Sequence, residues 1–324
     1  MMFRRQWLAM SALALSALAL GSAQAETFPS RPIKIIVPFA AGGTGDVLIR
    51  TLQEPLQRRL GQPIIVENRL GASGSMGTVF VKNSQADGYT LLQVGNSTVT
   101  TPMLQKAANY DSQKDLAPVG LIATTPMVFL LNPVVPATNI KQLIDYAKAN
   151  PGKLEFSSAG RGSLAHLATE SFNQAAGLKM VFVPYQGASQ AVNAVLAGDV
   201  KVALTTPSDA INAFVSAGRV HMLAVSSEKR SPLLPDVPAI SETLPNFAVN
   251  AFFGLSAPAG TPPAIIAKLN DALNKSIAEP QVQEKLKVLG MFPHPGDAKS
   301  FGDMMTRDHA LWTGVITKAG IEAE

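Results

Sequence analysis

Twice in this chain a short apolar run breaks at a cluster of glycines and restarts as a helical pattern. The first copy is Ile33-Lys34-Ile35-Ile36-Val37-Pro38-Phe39-Ala40-Ala41-Gly42-Gly43-Thr44-Gly45-Asp46, and the second is Leu154-Glu155-Phe156-Ser157-Ser158-Ala159-Gly160-Arg161-Gly162-Ser163. A strand that turns directly into a helix leaves the first backbone N–H groups of the helix without intrahelical partners, at the positive end of its dipole. Such an end attracts an anion. Two of them, far apart in sequence, predict two lobes that close on one small anion. The chain therefore reads as a receptor before it reads as a catalyst.

Apolar runs of strand length alternate with helical stripes along most of the chain, which predicts an α/β fold with largely parallel sheets. Strands are expected at Ile33–Val37, Ile64–Val66, Thr90–Val94, Met127–Leu131, Met180–Pro184, Val200–Leu204 and Val220–Val225. Leu48, Leu52, Leu56 and Leu60 lie four apart and mark one helix face, ended by Gly61. Pro55 conflicts with that helix and predicts a kink or a break. Further helices are expected at Ile140–Ala149, at Leu164–Ala176 with Gly177 as its C-cap, after Thr261 as the cap of a Pro262-Pro263 start, and over 299–318. Ser231-Pro232-Leu233-Leu234-Pro235-Asp236-Val237-Pro238 reads as a semi-rigid crossing or surface segment.

The first 25 residues carry Arg4 and Arg5, an apolar stretch from Leu8 to Leu20, and Ala23-Gln24-Ala25. This is the layout of a cleaved export signal, with a mature start expected at Glu26. The apolar stretch is shorter than the roughly 20 residues that span a bilayer. The chain has 27 Lys+Arg against 23 Asp+Glu, and loss of Arg4 and Arg5 removes half of that excess. So weak a charge, with no basic run interleaved with aromatics, argues against nucleic acid. Cysteine is absent, which excludes disulfides and thiolate chemistry. The histidines are scattered, so no metal site and no cofactor are expected.

Each candidate site residue also has a plainer reading. The first loop can hold a carboxylate with its N–H groups and the Thr44 hydroxyl, or it can simply be a tight turn needing glycine. It is neither a Walker loop nor a dinucleotide fingerprint. Asp46 suits the first helical turn, or the ammonium group of a ligand. In the second loop Ser163 can act as an N-cap, and Arg161 can pair a carboxylate or face solvent. Asn96-Ser97-Thr98 and Thr205-Thr206-Pro207-Ser208 follow strand ends, where ligands of open sheets bind, as does Tyr185. Ser163 with His166 suggests a hydrolase only weakly, because the Gly-x-Ser-x-Gly elbow is missing.

Pro29-Ser30-Arg31-Pro32-Ile33 with Val37-Pro38-Phe39-Ala40-Ala41-Gly42-Gly43 resembles the start of mature Bug-family proteins, the periplasmic receptors of tripartite tricarboxylate transporters. Gly71-Ala72-Ser73-Gly74, Asp87-Gly88-Tyr89, Val183-Pro184-Tyr185-Gln186-Gly187 and Pro235-Asp236-Val237-Pro238 continue the match in order along nearly the whole mature chain. The resemblance implies a two-domain Venus-flytrap fold of type II-like topology. Each domain would be a mainly parallel sheet flanked by helices, with two hinge crossings. Domain 1 would be 26–125 plus 230–324, and domain 2 would be 126–229.

The resemblance also implies a carboxylate held by both loops, partly through backbone groups and water. It points to Phe39, Ala40, Gly42, Gly43, Thr44 and Asp46 on one side. Ser158, Ala159, Gly160, Gly162, Ser163 and Tyr185 would lie on the other, with Asn96, Thr205 and Thr206 as wall residues. Many relatives carry an acid or amide where this chain has Thr205 and Thr206, which disfavours an amino-acid ligand. The expectation is thus a monomeric, non-catalytic receptor for a tricarboxylate, dicarboxylate or aromatic acid, serving a membrane permease. The alternatives are an exported hydrolase using Ser163 and His166, or a ligand-presenting sensor.

Overall fold

The computed structural model describes residues 28–323, so the expected leader and its cleavage point lie outside the described residues. β1 (Ile33–Val37) passes through the first glycine turn into α1 (Thr44–Leu60). β2 (Ile64–Asn68), α2 (Ser75–Lys82), β3 (Thr90–Gly95) and α3 (Asn96–Leu104) follow. β4 (Leu116–Pro126) leads through Met127 alone into β5 (Val128–Leu131). Next come α4 (Ile140–Ala149), β6 (Glu155–Ser158), α5 (Leu164–Ala176), β7 (Val181–Pro184), α6 (Ala188–Ala197), β8 (Val202–Thr205), α7 (Asp209–Ser216) and β9 (His221–Val225). The chain finishes with β10 (Asn250–Pro258), α8 (Pro263–Ile277), α9 (Pro280–Val288), β11 (Phe292–Pro293) and α10 (Ala298–Ala319).

These strands form two sheets, in the orders β11-β4-β10-β3-β1-β2 and β7-β6-β8-β5-β9. The α/β reading with two helix-flanked sheets holds, but the sheets are mixed rather than mainly parallel. β1 is parallel to β2 and β3, and β6 is parallel to β7 and β8. β10 runs antiparallel to β3 and β4, and β5 runs antiparallel to β8 and β9. Two of the reversed strands, β5 and β10, are those by which the chain enters each sheet from the other, and β11 is reversed as well, antiparallel to β4. A strand entering from the other sheet arrives against the direction of the βαβ units already there.

β1 lies between β2 and β3, and Ile33, Ile35, Ile36 and Val37 are fully buried, as an apolar strand covered on both faces should be. Leu48, Leu52, Leu56 and Leu60 form the buried stripe of α1, and left-handed Gly61 (φ 69°) ends it. Pro55 does not break this helix. One missing N–H is tolerated within a helix of 17 residues, and the proline itself is buried. Thr261 does not cap α8. Its hydroxyl donates to the Pro258 carbonyl at 2.8 Å, and Pro262 occupies the cap position. The proline-rich stretch is ordered against the second sheet. Leu234 and Val237 pack against the apolar cluster that includes Val128, Leu130 and Val225, and the Val225 N–H donates to Pro238 O at 2.8 Å.

The chain passes between the sheets at Met127 and again between Ser226 and Val249, and the two passages are bonded together. The Met127 N–H donates to Ser226 Oγ (2.8 Å), and the Ser226 N–H donates to Met127 O (2.8 Å). The Ser226 hydroxyl in turn donates to Val249 O, and the Val249 N–H returns to Ser226 O at 2.9 Å. Ser226 is fully buried. α10 also reaches both halves, packing on β4 and on α5, where Gln174 Nε2 donates to Val315 O at 2.9 Å.

Ser226→Ala leaves a buried N–H and a buried carbonyl short of a partner at this junction. It is expected to cost about 1–3 kcal/mol of stability, read as a lower denaturant midpoint in urea unfolding.

Candidate functional site

A cavity of about 400 Å³ lies where strand–helix junctions of the two sheets meet, within the roughly 300–1,000 Å³ typical of small-ligand sites. The first sheet contributes Phe39 and Gly45 from the β1–α1 junction, and Gln93, Gly95 and Asn96 from the β3–α3 junction. The second sheet contributes Ala159, Arg161, Gly162 and Ser163 from the β6–α5 loop. The two halves touch beside the cavity. A Cβ on Gly162 (φ +75°) would stand 2.5 Å from Leu104 Cδ1 on α3. Glycine is needed there both for its backbone conformation and for that approach.

The helix starts differ in how far the protein satisfies them. α1 begins after Gly43, which has no side chain to cap it. α5 is capped by Ser163, whose Oγ accepts the His166 N–H at 3.3 Å. The first loop also uses amides internally. The Gly42 N–H donates to Asp46 Oδ2 (2.9 Å), and the Gly43 N–H donates to Ala40 O (3.1 Å).

Of the fifteen residues expected at the site, Phe39, Asn96, Ala159, Gly162 and Ser163 line the cavity. Ala40, Gly42, Gly43, Thr44, Asp46, Ser158, Gly160, Tyr185, Thr205 and Thr206 are outside its lining. Asp46 is buried, accepting from Arg50 Nε (2.9 Å) and Asn68 Nδ2 (2.9 Å) as well as Gly42. The Arg50 guanidinium, helped by the Gly42 and Asn68 N–H groups, outweighs burial and holds its pKa at about 2. That buried carboxylate braces the loop from outside the cavity lining. Ser158 is buried too, donating to Gly160 O (3.0 Å) and accepting from Ser163 Oγ (3.2 Å). Thr205 is buried at the end of β8, paired with Val128, and Thr206 is exposed.

Asn96 opens α3 with no intervening loop, and its amide ties three elements together. Its Oδ1 accepts the Phe252 N–H (3.1 Å), and its Nδ2 donates to Asn250 O (3.2 Å) and, at 3.5 Å, toward Asp308 Oδ2. Asp308 also accepts from Trp312 Nε1 at 2.8 Å, and burial raises its pKa to about 6.

Sequence reasoning missed Gln93, Thr100, Thr101, Leu104 and Phe252, all of which line the cavity. Gln93 stands in an apolar strand run, where a lone glutamine is a detectable signal. Thr100, Thr101 and Leu104 of α3 carried none, because the polar cluster at its start reads as turn chemistry after a strand. Arg161 and Glu322 bring one charge of each sign to the lining. Among the described residues no three His, Asp or Glu side chains converge as metal ligands.

His166 and Ser163 do not form a base–nucleophile pair. The His166 ring stacks on Phe182 with centroids 3.9 Å apart, and its Nδ1 accepts the Gly162 N–H at 3.0 Å. The Ser163 hydroxyl donates to Ser158 Oγ. Burial first, and the Arg161 charge second, lower the His166 pKa to about 4. The ring is therefore a neutral brace under the second loop.

The sequence model of the "tripartite tricarboxylate transporter family receptor" matches residues 48–321. The chain belongs to this receptor family. A Pseudomonas sp. (strain P51) protein of the tcbD–tcbE intergenic region is 37% identical over 99% of this chain and 96% of its own length. Protein BugT of Bordetella pertussis is 35% identical over 91% of each chain. Among solved structures, a TctC solute-binding protein from Polaromonas superposes with a TM-score of 0.81 at 30% identity, covering 90% of this chain and 100% of that one. R. palustris Rpa4515 with adipate gives 0.75 at 30% identity, covering 92% of this chain and all of that one. MatC from Rhodopseudomonas palustris with bound malate gives 0.71 at 30%, covering 89% of this chain and all of that one. For this receptor-family chain the two-sheet architecture and the cavity between the sheets are thus seen together.

The unfolded chain takes up a proton at His166 near pH 6.5, whereas the folded chain holds the ring neutral down to about pH 4. The stability tied to that neutral ring is present above pH 6.5 and is lost as pH falls toward 4, on the order of 3 kcal/mol. Denaturation of wild type and His166→Gln at pH 7, 5.5 and 4 should show the shallower decline in the variant.

Proposed function

We propose that this receptor captures a small organic carboxylate between its two sheets in the periplasm and delivers it to a membrane permease. The observation that carries the reading is the shared cavity, walled by strand–helix junctions from both sheets and lined by Gly45 in the first turn of α1, whose N-cap Gly43 has no side chain to cap it. Helix starts attract carboxylates through free N–H groups and the dipole. Adipate in one relative's structure and malate in another's support the same ligand class here.

In this reading the lobes are 26–125 with 230–324, and 126–229, acting as a monomer. Strand membership supports that division, with the contacts of the second lobe extending into the proline-rich segment. A carboxylate bridging both junctions favours the closed arrangement by the contacts it gains only there. Catalysis has no part in it, and the use of Ser163 as a helix cap supports that view.

Succinate, adipate, malate, citrate and benzoate are the first panel. A member that binds should stabilise the protein by about 2.7 kcal/mol at a hundredfold excess over Kd, seen as a rise in Tm. Ligand-free protein that gives neither a Tm shift nor calorimetric heat with any member defeats the proposal. Gly162→Val forces a side chain into Leu104 and should weaken the affinity for the best ligand at least tenfold by titration calorimetry.

A further inference from the structure

Four polar side chains on the first-sheet wall of the cavity are buried: Gln93, Asn96, Thr100 and Thr101. Both ends of the Asn96 amide are occupied. Thr100 donates to Asn96 O and Thr101 to Ser73 O. Gln93 differs. Its Nε2 donates to Val94 O at 2.8 Å, while its Oε1 is buried without any hydrogen-bond partner. The described residues hold other buried side-chain atoms without a partner, on Ser75, Asn173, Asn250 and Ser256, but none of those residues lines the cavity.

The hydrogen bond to Val94 sets the orientation of the amide, because turning it over would place two carbonyl oxygens against each other. Oε1 therefore lies on the side of Gly45, which also lines the cavity. A Cβ on Gly45 would come within 2.7 Å of it. Gly45 has an ordinary negative-φ helical backbone, so its bareness there serves the glutamine and not a turn. A lone acceptor beside the start of α1 repels a carboxylate oxygen and accepts a donor. Burying it unpaired has no structural benefit, since a leucine would fill the same strand position without that loss.

We infer that Gln93 Oε1 is the specificity element of this receptor, accepting a hydrogen bond from a hydroxyl on the ligand, so that the ligand is a hydroxy-substituted carboxylate. The inference rests on the carboxylate reading above. The carboxylate groups go to the helix starts and the hydroxyl to Gln93. A site that aligns an acceptor with a ligand hydroxyl discriminates against the analogue that lacks it, because the acceptor is then left unpaired.

Titration calorimetry with matched pairs tests this: succinate against malate, and adipate against 3-hydroxyadipate. Wild type should bind the hydroxylated member of at least one pair ten times more tightly or better. Gln93→Leu should bring that ratio close to one. Gly45→Ala, which displaces Oε1 by steric contact, should shrink it in the same direction and serves if Gln93→Leu fails to fold by circular dichroism. Equal binding of both members of each pair by wild type overturns the inference and leaves the carboxylate reading standing. A ratio that persists in both variants overturns the role of Gln93. If no acid of either pair binds, nor any of the wider carboxylate panel, the carboxylate reading fails and this inference with it.

Discussion

The two sheets are held in relation to each other by a small set of bonds around Ser226 and Met127. One hydroxyl serves both passages of the chain, accepting from Met127 N–H and donating to Val249 O, within reciprocal backbone bonds. Everything at the cavity depends on this, because its walls come from junctions on opposite sides of that crossing. At the junction itself Met127, Ser226 and Val249 are all buried, so these bonds are shielded from water. α10 adds a second restraint by packing on both β4 and α5.

Around the cavity, glycine controls how closely elements approach. Gly162 lets the second loop meet Leu104, Gly45 leaves room for the Gln93 amide, and a Cβ on Gly95 would stand 3.0 Å from Phe252 O. Two of the three have negative φ, so the absent side chain matters there more than the backbone freedom. Charged side chains at the first loop have a different task. Asp46, Arg50 and Asn68 are bonded to one another and, through the Gly42 N–H, to the turn that precedes α1, and Asp46 lies outside the cavity lining. His166 has the matching position under the second loop, neutral and stacked.

Much of this architecture was readable from local sequence. Apolar runs, stripes such as Leu48-Leu52-Leu56-Leu60 and caps such as Gly61 and Gly177 place strands and helices within a residue or two, because each signal acts between near neighbours. The glycine loops identified two walls of the cavity and four of its expected lining residues, and the polar cluster after β3 identified a fifth, Asn96. Pro55 misled because a single lost hydrogen bond weighs little against a buried helix face. Thr261 misled because its hydroxyl is taken up by the Pro258 carbonyl and the helix starts one residue later than expected.

The sequence by itself determined the α/β alternation, the glycine turns and the family likeness, since period, turn chemistry and motif order are written in adjacent residues. Tertiary structure alone decided which strands are reversed, that Asn96 joins Phe252 and Asp308, and that Gln93 meets Gly45 at the cavity wall. Those outcomes arise where residues far apart in the chain meet. A hydrogen-bonding group shows itself as satisfied or orphaned only once its distant neighbours are in place.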